Sequence, residues 1–225
     1  MGFTSRYPPG FMLIENNLAT HKLSLLRDEK CEPQRFRRVS RQLGFLLCAA
    51  ATKDLPLTES RRTRTPAGAT IDCPLVDQDR FLILPLLRAG LVVAEGFQEL
   101  LPRAAVGHVG FALGRVGDER LPYLWAIPEG RFTTIFLVAS AITTAKSVVK
   151  CVSLLSDLDM PPDTIRVASI IASRLGIEAF YSNSANNGVR VFAVACDEGR
   201  TSDGRVSPGF GKAGNRAFGT EGDLQ

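Results

Sequence analysis

No stretch of this sequence reaches the roughly 18 consecutive apolar residues of a membrane-spanning helix. The opening residues, MGFTSRYPPGFMLIENN, hold neither the apolar run nor the small-residue cleavage site of a secretion signal. They begin Met-Gly, but Arg6 stands where a myristoylation signal needs Ser or Thr. Cysteine is sparse and odd in number. Cys31, Cys48, Cys73, Cys151 and Cys196 include no pair at CxxC spacing, which argues against disulfides and a thiolate zinc site. The two histidines, His21 and His108, lie far apart and outside any metal-ligand motif, and H-x-x-x-H, G-x-S-x-G and G-x-x-x-x-G-K-[ST] are all absent. These absences point to a soluble, cytoplasmic protein in a reducing setting, with no membrane partner and no metal site.

What is present suits one folded unit. The chain has 225 residues, 45% hydrophobic and 22% charged, enough for a sizeable core. A formal net charge of +4 fits a small anionic ligand without demanding nucleic acid. The arginine clusters QRFRRVSRQ and ESRRTRT read first as a solvated helix face and loop, with nucleic-acid contact the less favoured reading.

Hydrophobic spacing predicts a helix over residues 33–52, with Phe36, Val39, Leu43, Leu46 and Leu47 on one side. Residues 80–87, RFLILPLL, read as a central parallel strand, followed by a helix over 91–101. Further strands are expected over 104–113, 133–139, 164–172 and 189–195, with a polar loop or hairpin at 114–123 and a helix over 146–158. Strands alternating with helices indicate an α/β doubly wound, mostly parallel sheet. The tail after Cys196 is glycine-rich, either a disordered end or an irregular lobe over the sheet. Its Phe210 and Phe218 look buried.

Ligands of such sheets bind beyond the carboxyl ends of the strands. Arg88 follows an apolar strand and precedes Ala89 and Gly90, so it either grips phosphate oxygens or simply leaves the core. The stretch FLVASAITTAKSVV, residues 136–149, runs from strand through turn into helix. Its Thr143, Thr144, Lys146 and Ser147 can meet a phosphate at a helix N-terminus. Lacking glycines, the same residues read more simply as helix caps. Asp197 and Glu198 also fall at the ligand edge.

Taken in order, five segments resemble the uracil phosphoribosyltransferase family. HKLSLLRDEK stands where the family has H-K-L-T-x-L-R-D, and AATKDLPL, LPLLRAGLVVAEGFQELLPRAAVGHVG and CDEG follow. SPGFGKAGNRAFGT stands against V-P-G-L-G-D-A-G-D-R-x-F-G-T. The resemblance implies the type I phosphoribosyltransferase fold as a single domain over 1–225, with an N-terminal arm (about 1–32) and a C-terminal hood carrying the uracil site (about 197–225). It implies a homodimer, a flexible loop, and transfer from phosphoribosyl pyrophosphate (PRPP) to uracil with Mg²⁺ assisting, giving UMP and pyrophosphate.

The family's PRPP loop, D-P-M-L-A-T-G-G-S, falls on residues 139–147, ASAITTAKS. The ribose-binding aspartate becomes Ala139 and the paired glycines become Ala145 and Lys146. The flexible-loop arginine falls on Leu113, with Arg115 nearby, and the tail's acidic residues fall on Lys212 and Asn215. The expected phosphate contacts are Arg88, Thr143, Thr144, Lys146 and Ser147. The expected uracil-site residues are Val206, Gly211, Lys212 and Ala213. No catalytic residue is assigned. The first expectation is a family member whose PRPP chemistry is weak, altered or lost, binding a small anionic or nucleobase-like ligand. The alternatives are a working uracil phosphoribosyltransferase, or a non-catalytic regulatory or scaffold homologue pairing with another family member or RNA.

Overall fold

The computed structural model describes residues 7–113, 120–202 and 204–220. Strand β1 (Phe11–Leu13) leads to α1 (Asn17–Arg27), which Asn16 caps by accepting from the Ala19 N–H at 3.0 Å. Helix α2 (Pro33–Thr52) begins with a proline, where a missing N–H costs nothing, and buries Phe36, Val39, Leu43 and Leu47 at the predicted spacing. An exposed antiparallel hairpin follows, β2 (Glu59–Arg64) with β3 (Thr70–Leu75). Next come β4 (Phe81–Pro85), α3 (Gly90–Leu100), the short β5 (Ala105–Val106), and a second antiparallel hairpin of β6 (His108–Leu113) and β7 (Arg120–Ala126). The pattern then alternates: β8 (Thr134–Ile142), α4 (Lys146–Ser156), β9 (Ile165–Ser173), α5 (Arg174–Ser182) and β10 (Arg190–Asp197). The chain closes with β11 (Gly199–Arg200), β12 (Val206–Ser207) and α6 (Ala213–Phe218).

Six strands form one parallel sheet in the order β1-β10-β9-β8-β4-β5. Its central strands are apolar on both faces because helices cover both. Helices α1, α2 and α3 share one core with Phe81, Phe136 and Ile170, while α4 and α5 share the other with Leu82, Leu137 and Val167. Helices α2 and α3 approach so closely that a Cβ on Gly44 would lie 2.1 Å from the Val93 carbonyl oxygen. From β4 the chain steps to β5 on one side and then returns to β8 on the other. The carboxyl ends of β4 and β8 therefore flank the point where the winding reverses, the place where such sheets take ligands.

Three expectations need correction. Residues 104–113 do not form one strand: at Gly107, where a Cβ would meet the Ala126 carbonyl oxygen at 2.8 Å, the chain leaves the sheet and starts the β6–β7 hairpin. The N-terminal residues contribute an unforeseen edge strand, β1, paired with β10, and α5 was also unforeseen. Phe218 is exposed, whereas Phe210 is buried. Residues 114–119, with Arg115, lie outside the described residues. Among the described residues no helix is long and apolar enough to cross a membrane. The five cysteines are unbridged, and burial pushes the Cys48 thiol up to about 12.

At the amino-terminal edge of the sheet, Asp54 lies between Arg166, at 2.5 Å, and Arg190. The hydrogen bond from Arg166 is the main reason its carboxyl drops to about 2 from 3.8. A depressed folded-state pKa gives stability that is present above about pH 4 and lost as pH falls toward 2. Asp54 is half-exposed, so screening keeps the contribution below about 1 kcal/mol. Urea midpoints between pH 5 and 2 should fall more for the parent protein than for Asp54→Asn, with the two curves converging at the acid end. Parallel curves would remove this linkage.

Candidate active site

The turn entering α4 is built by its neighbours rather than by its own glycines. Ala145, the residue before α4, adopts φ 58°, the left-handed conformation that favours glycine, at a cost of about 1–2 kcal/mol for a side chain. The first i→i−4 bond of α4 runs from the Val149 N–H to the Ala145 carbonyl oxygen, so the turn ahead of it forms an open helix N-terminus. Buried Ser173 caps α5 by accepting from the Gly176 N–H at 2.9 Å and donates to the Thr143 carbonyl oxygen at 2.5 Å. A Cβ on Gly176 would lie 2.3 Å from that same oxygen. Gly176→Ala must therefore displace the turn. We expect it to cost about 2 kcal/mol in urea unfolding and to weaken phosphate binding measured by calorimetry. Unchanged values for both would show that the turn yields freely.

The tail folds back over the sheet's carboxyl edge. Asp197 ends β10 and accepts from Arg27 at 2.7 and 2.8 Å and from the Gly209 N–H at 2.9 Å. It stands at the carboxyl edge as expected, there as a buried clasp between α1 and the tail, and lines neither cleft described below. Glu198 pairs with Arg174 at 3.4 Å. Arg216 donates to the carbonyl oxygens of Leu26, Phe210 and Asp28 at 2.5–2.8 Å, and its guanidinium lies 4.9 Å from the centre of the Phe36 ring. Arg37 donates to the Ala217 carbonyl oxygen at 2.7 Å. Gly209 and Gly211, at φ 56° and 77°, let the segment between β12 and α6 turn sharply enough to reach the cleft.

Two adjoining clefts result. One, of about 270 Å³, is lined by Arg88, Ala139, Ser140 and Thr143 on the sheet side and by Gly211, Ala213 and Gly214 from the tail. The other, of about 90 Å³, is lined by Thr143, Thr144, Ala145, Lys146 and Ser147, with Arg120 from β7. They share Leu86, Ala139, Ala141 and Thr143. Arg88 donates to the Asn215 side-chain oxygen at 3.0 Å. Larger depressions of about 350 and 550 Å³ lie at the opposite, amino-terminal edge. Size does not decide between the edges, because only the carboxyl edge combines the winding reversal with an open helix N-terminus.

The expected phosphate residues Arg88, Thr143, Thr144, Lys146 and Ser147 thus gather around one joined cleft, as do Gly211 and Ala213. Val206 does not line it: it is packed in the core beneath the tail. Lys212 does not line it either and is exposed. Sequence reasoning missed Arg120, whose hairpin position was not legible, and Ser173, which a serine between a strand and a helix could have signalled. Among the described residues there is no cluster of three or more metal-ligating side chains, and no carboxylate lines either cleft.

The family model described as "Uracil phosphoribosyltransferase" matches residues 13–220. The chain belongs to the uracil phosphoribosyltransferase family. A uracil phosphoribosyltransferase of Rhodospirillum centenum is 34% identical over 215 residues, covering 95% of this chain and 97% of that protein. The one from Ralstonia pickettii is 31% identical, covering 95% and 96%. A solved structure of an Aquifex aeolicus protein superposes with a TM-score of 0.81 at 24% identity, covering 92% of this chain and 97% of that one, which supports the same fold. The sheet is accordingly that of the type I phosphoribosyltransferase fold, with the tail as its hood.

Proposed function

We propose that this chain binds uracil and PRPP at the joined cleft and transfers the phosphoribosyl group to the base, as its family's name describes. The observation that carries the reading is the cleft itself. An open helix N-terminus, Arg88 and the hood backbone meet at the winding reversal of a chain similar to uracil phosphoribosyltransferases along nearly its whole length. In this reading the turn at 143–147 holds the 5′-phosphate through backbone N–H groups and the hydroxyls of Thr144 and Ser147. Arg88 faces the pyrophosphate. It donates to a neutral amide, that of Asn215, a partner it can exchange for an anion without losing a salt bridge to that residue. The hood backbone at Gly211 and Ala213 reads the base. Mg²⁺, where the donor needs it, would offset phosphate charge, and no carboxylate among the described cleft residues would hold it.

One observation favours a second reading, binding with slow or absent turnover. Ala139 and Ser140 put no carboxylate where the ribose hydroxyls are expected. A charge-assisted hydrogen bond is worth about 1.5–3 kcal/mol, so its absence alone accounts for roughly tenfold to hundredfold in rate. Incubating purified protein with labelled uracil, PRPP and Mg²⁺ and measuring UMP separates the readings. Turnover within about a hundredfold of a relative carrying the aspartate supports the first. Uracil or UMP binding by calorimetry without UMP formation supports the second. Neither binding nor turnover leaves a non-catalytic subunit as the remaining reading.

A further inference from the structure

The guanidinium nitrogen Nε of Arg120 is buried and has no hydrogen-bond partner among the described residues. Buried donors are nearly always satisfied, and an exception beside a cleft marks a missing acceptor. Arg120 lines the smaller cleft together with Thr144, Lys146 and Ser147. It reaches that position for a definable reason. The Leu87 N–H donates to the Val109 carbonyl oxygen at 2.8 Å, which fixes β6 beside the turn carrying Arg88. The antiparallel partner β7 is then laid against α4. In that register Arg120 stands directly opposite Leu113. Position 113 is where the family resemblance places a flexible-loop arginine that this chain lacks. The cation missing from one strand of the hairpin is thus present on the other, at the paired position.

We infer that Arg120 is a ligand for the sugar phosphate seated on the turn entering α4, supplying from β7 the charge absent at position 113. This rests on the proposed reading of that turn as a phosphate site. The chemistry it recognises is a phosphomonoester dianion on a pentose. The fork of a guanidinium suits two phosphate oxygens, and Nε is one of the donors that such a fork presents. The residues between 143 and 147 supply hydroxyl and backbone donors but no guanidinium. Arg120 therefore adds a planar, permanently charged contact from β7, which packs against α4.

The test uses the full chain and ribose 5-phosphate as the probe, titrated calorimetrically at low and high salt. Arg120→Ala should weaken binding about tenfold or more, the loss of a charge-assisted contact. Arg120→Lys, which keeps the charge but not the fork, should fall between the two. Arg62→Ala, on the exposed β2 hairpin, removes the same net charge away from the cleft and should change little. Melting temperatures without ligand establish that the variants are folded, and Arg120→Gln replaces the alanine variant if that one is not. Equal losses for Arg120→Ala and Arg62→Ala, or no loss for either, overturn the inference. So does failure of the parent protein to bind the probe at millimolar concentration. A parent that makes no UMP from uracil and PRPP, yet binds ribose 5-phosphate through Arg120, overturns the proposed reaction and keeps the inference. A parent that makes UMP, with probe binding indifferent to Arg120, does the reverse.

Discussion

Replacing Arg216 by alanine is expected to cost about 4 kcal/mol and to strip the hood from the cleft. The guanidinium donates to three carbonyl oxygens at 2.5–2.8 Å, with a fourth contact to the Cys31 carbonyl oxygen at 3.4 Å. Two of the close acceptors, on Leu26 and Asp28, belong to the end of α1 and the residue after it. The other, on Phe210, belongs to the hood. The same group stacks on Phe36 of α2. One side chain therefore ties the hood to α1 and α2, both near the other end of the chain, and alanine leaves several part-buried acceptors without a donor. Lysine cannot replace it, because a single ammonium cannot span carbonyls on opposite sides of a planar fork. Arg216→Lys should recover less than half of the loss in urea unfolding. Hydrogen exchange should accelerate across residues 204–220 in Arg216→Ala and stay near parent values in β8 and β9. Uracil affinity should fall with it, since Gly211 and Ala213 lose their fixed distance from Arg88. A loss below about 0.5 kcal/mol would mean that the Arg27–Asp197 clasp alone holds the hood.

That clasp shows where sequence reading reached its limit. The sheet was legible because central parallel strands are continuous apolar runs. Residues 81–85, 134–139 and 167–173 are each buried without exception. Helix α2 was legible because its buried residues recur at helical spacing and a proline marks its start. The nine-residue α5 carries Gly176 in its first turns and offered too short a period to read. Asp197 was correctly placed at the sheet's carboxyl edge but not correctly paired, because its partner Arg27 lies 170 residues away and nothing local announces it. The same holds for Arg120. Its role depends on hairpin register, which sequence leaves open when the turn residues do not impose one. Residues 139–147 teach the converse. Without glycines they read as ordinary caps, yet the backbone still takes the left-handed turn at Ala145, because Ser173 and the close approach of Gly176 fix Thr143 from behind.

The turn takes a left-handed step at Ala145 although its residues differ from the family pattern, and the largest functional change should come from restoring one side chain. Ala139 is the sixth of the nine residues of β8, is only 3% exposed, and lines both clefts. Ala139→Asp places a carboxylate where the resemblance puts the ribose hydroxyls. Two opposing effects follow, and they are separable by ligand. Without ligand, a carboxylate at this position, where Ala139 is only 3% exposed, is largely desolvated. Its pKa should rise, and the protein should lose about 1–3 kcal/mol of stability, measurable as a lower melting temperature. With PRPP bound, two ribose hydroxyls donate to the carboxylate, and each charge-assisted bond returns about 1.5–3 kcal/mol. The balance favours the complex. PRPP should stabilise the variant more than the parent, and kcat/KM for UMP formation should rise by about tenfold to hundredfold. Ala139→Asn has the same shape without the charge and should give only a small part of the gain. Uracil affinity measured without PRPP should not change, because the proposed reading puts the base contacts on the hood. If Ala139→Asp lowers the melting temperature but leaves PRPP binding and turnover untouched, the ribose does not sit against the end of β8. The joined cleft would then hold some other phosphorylated ligand.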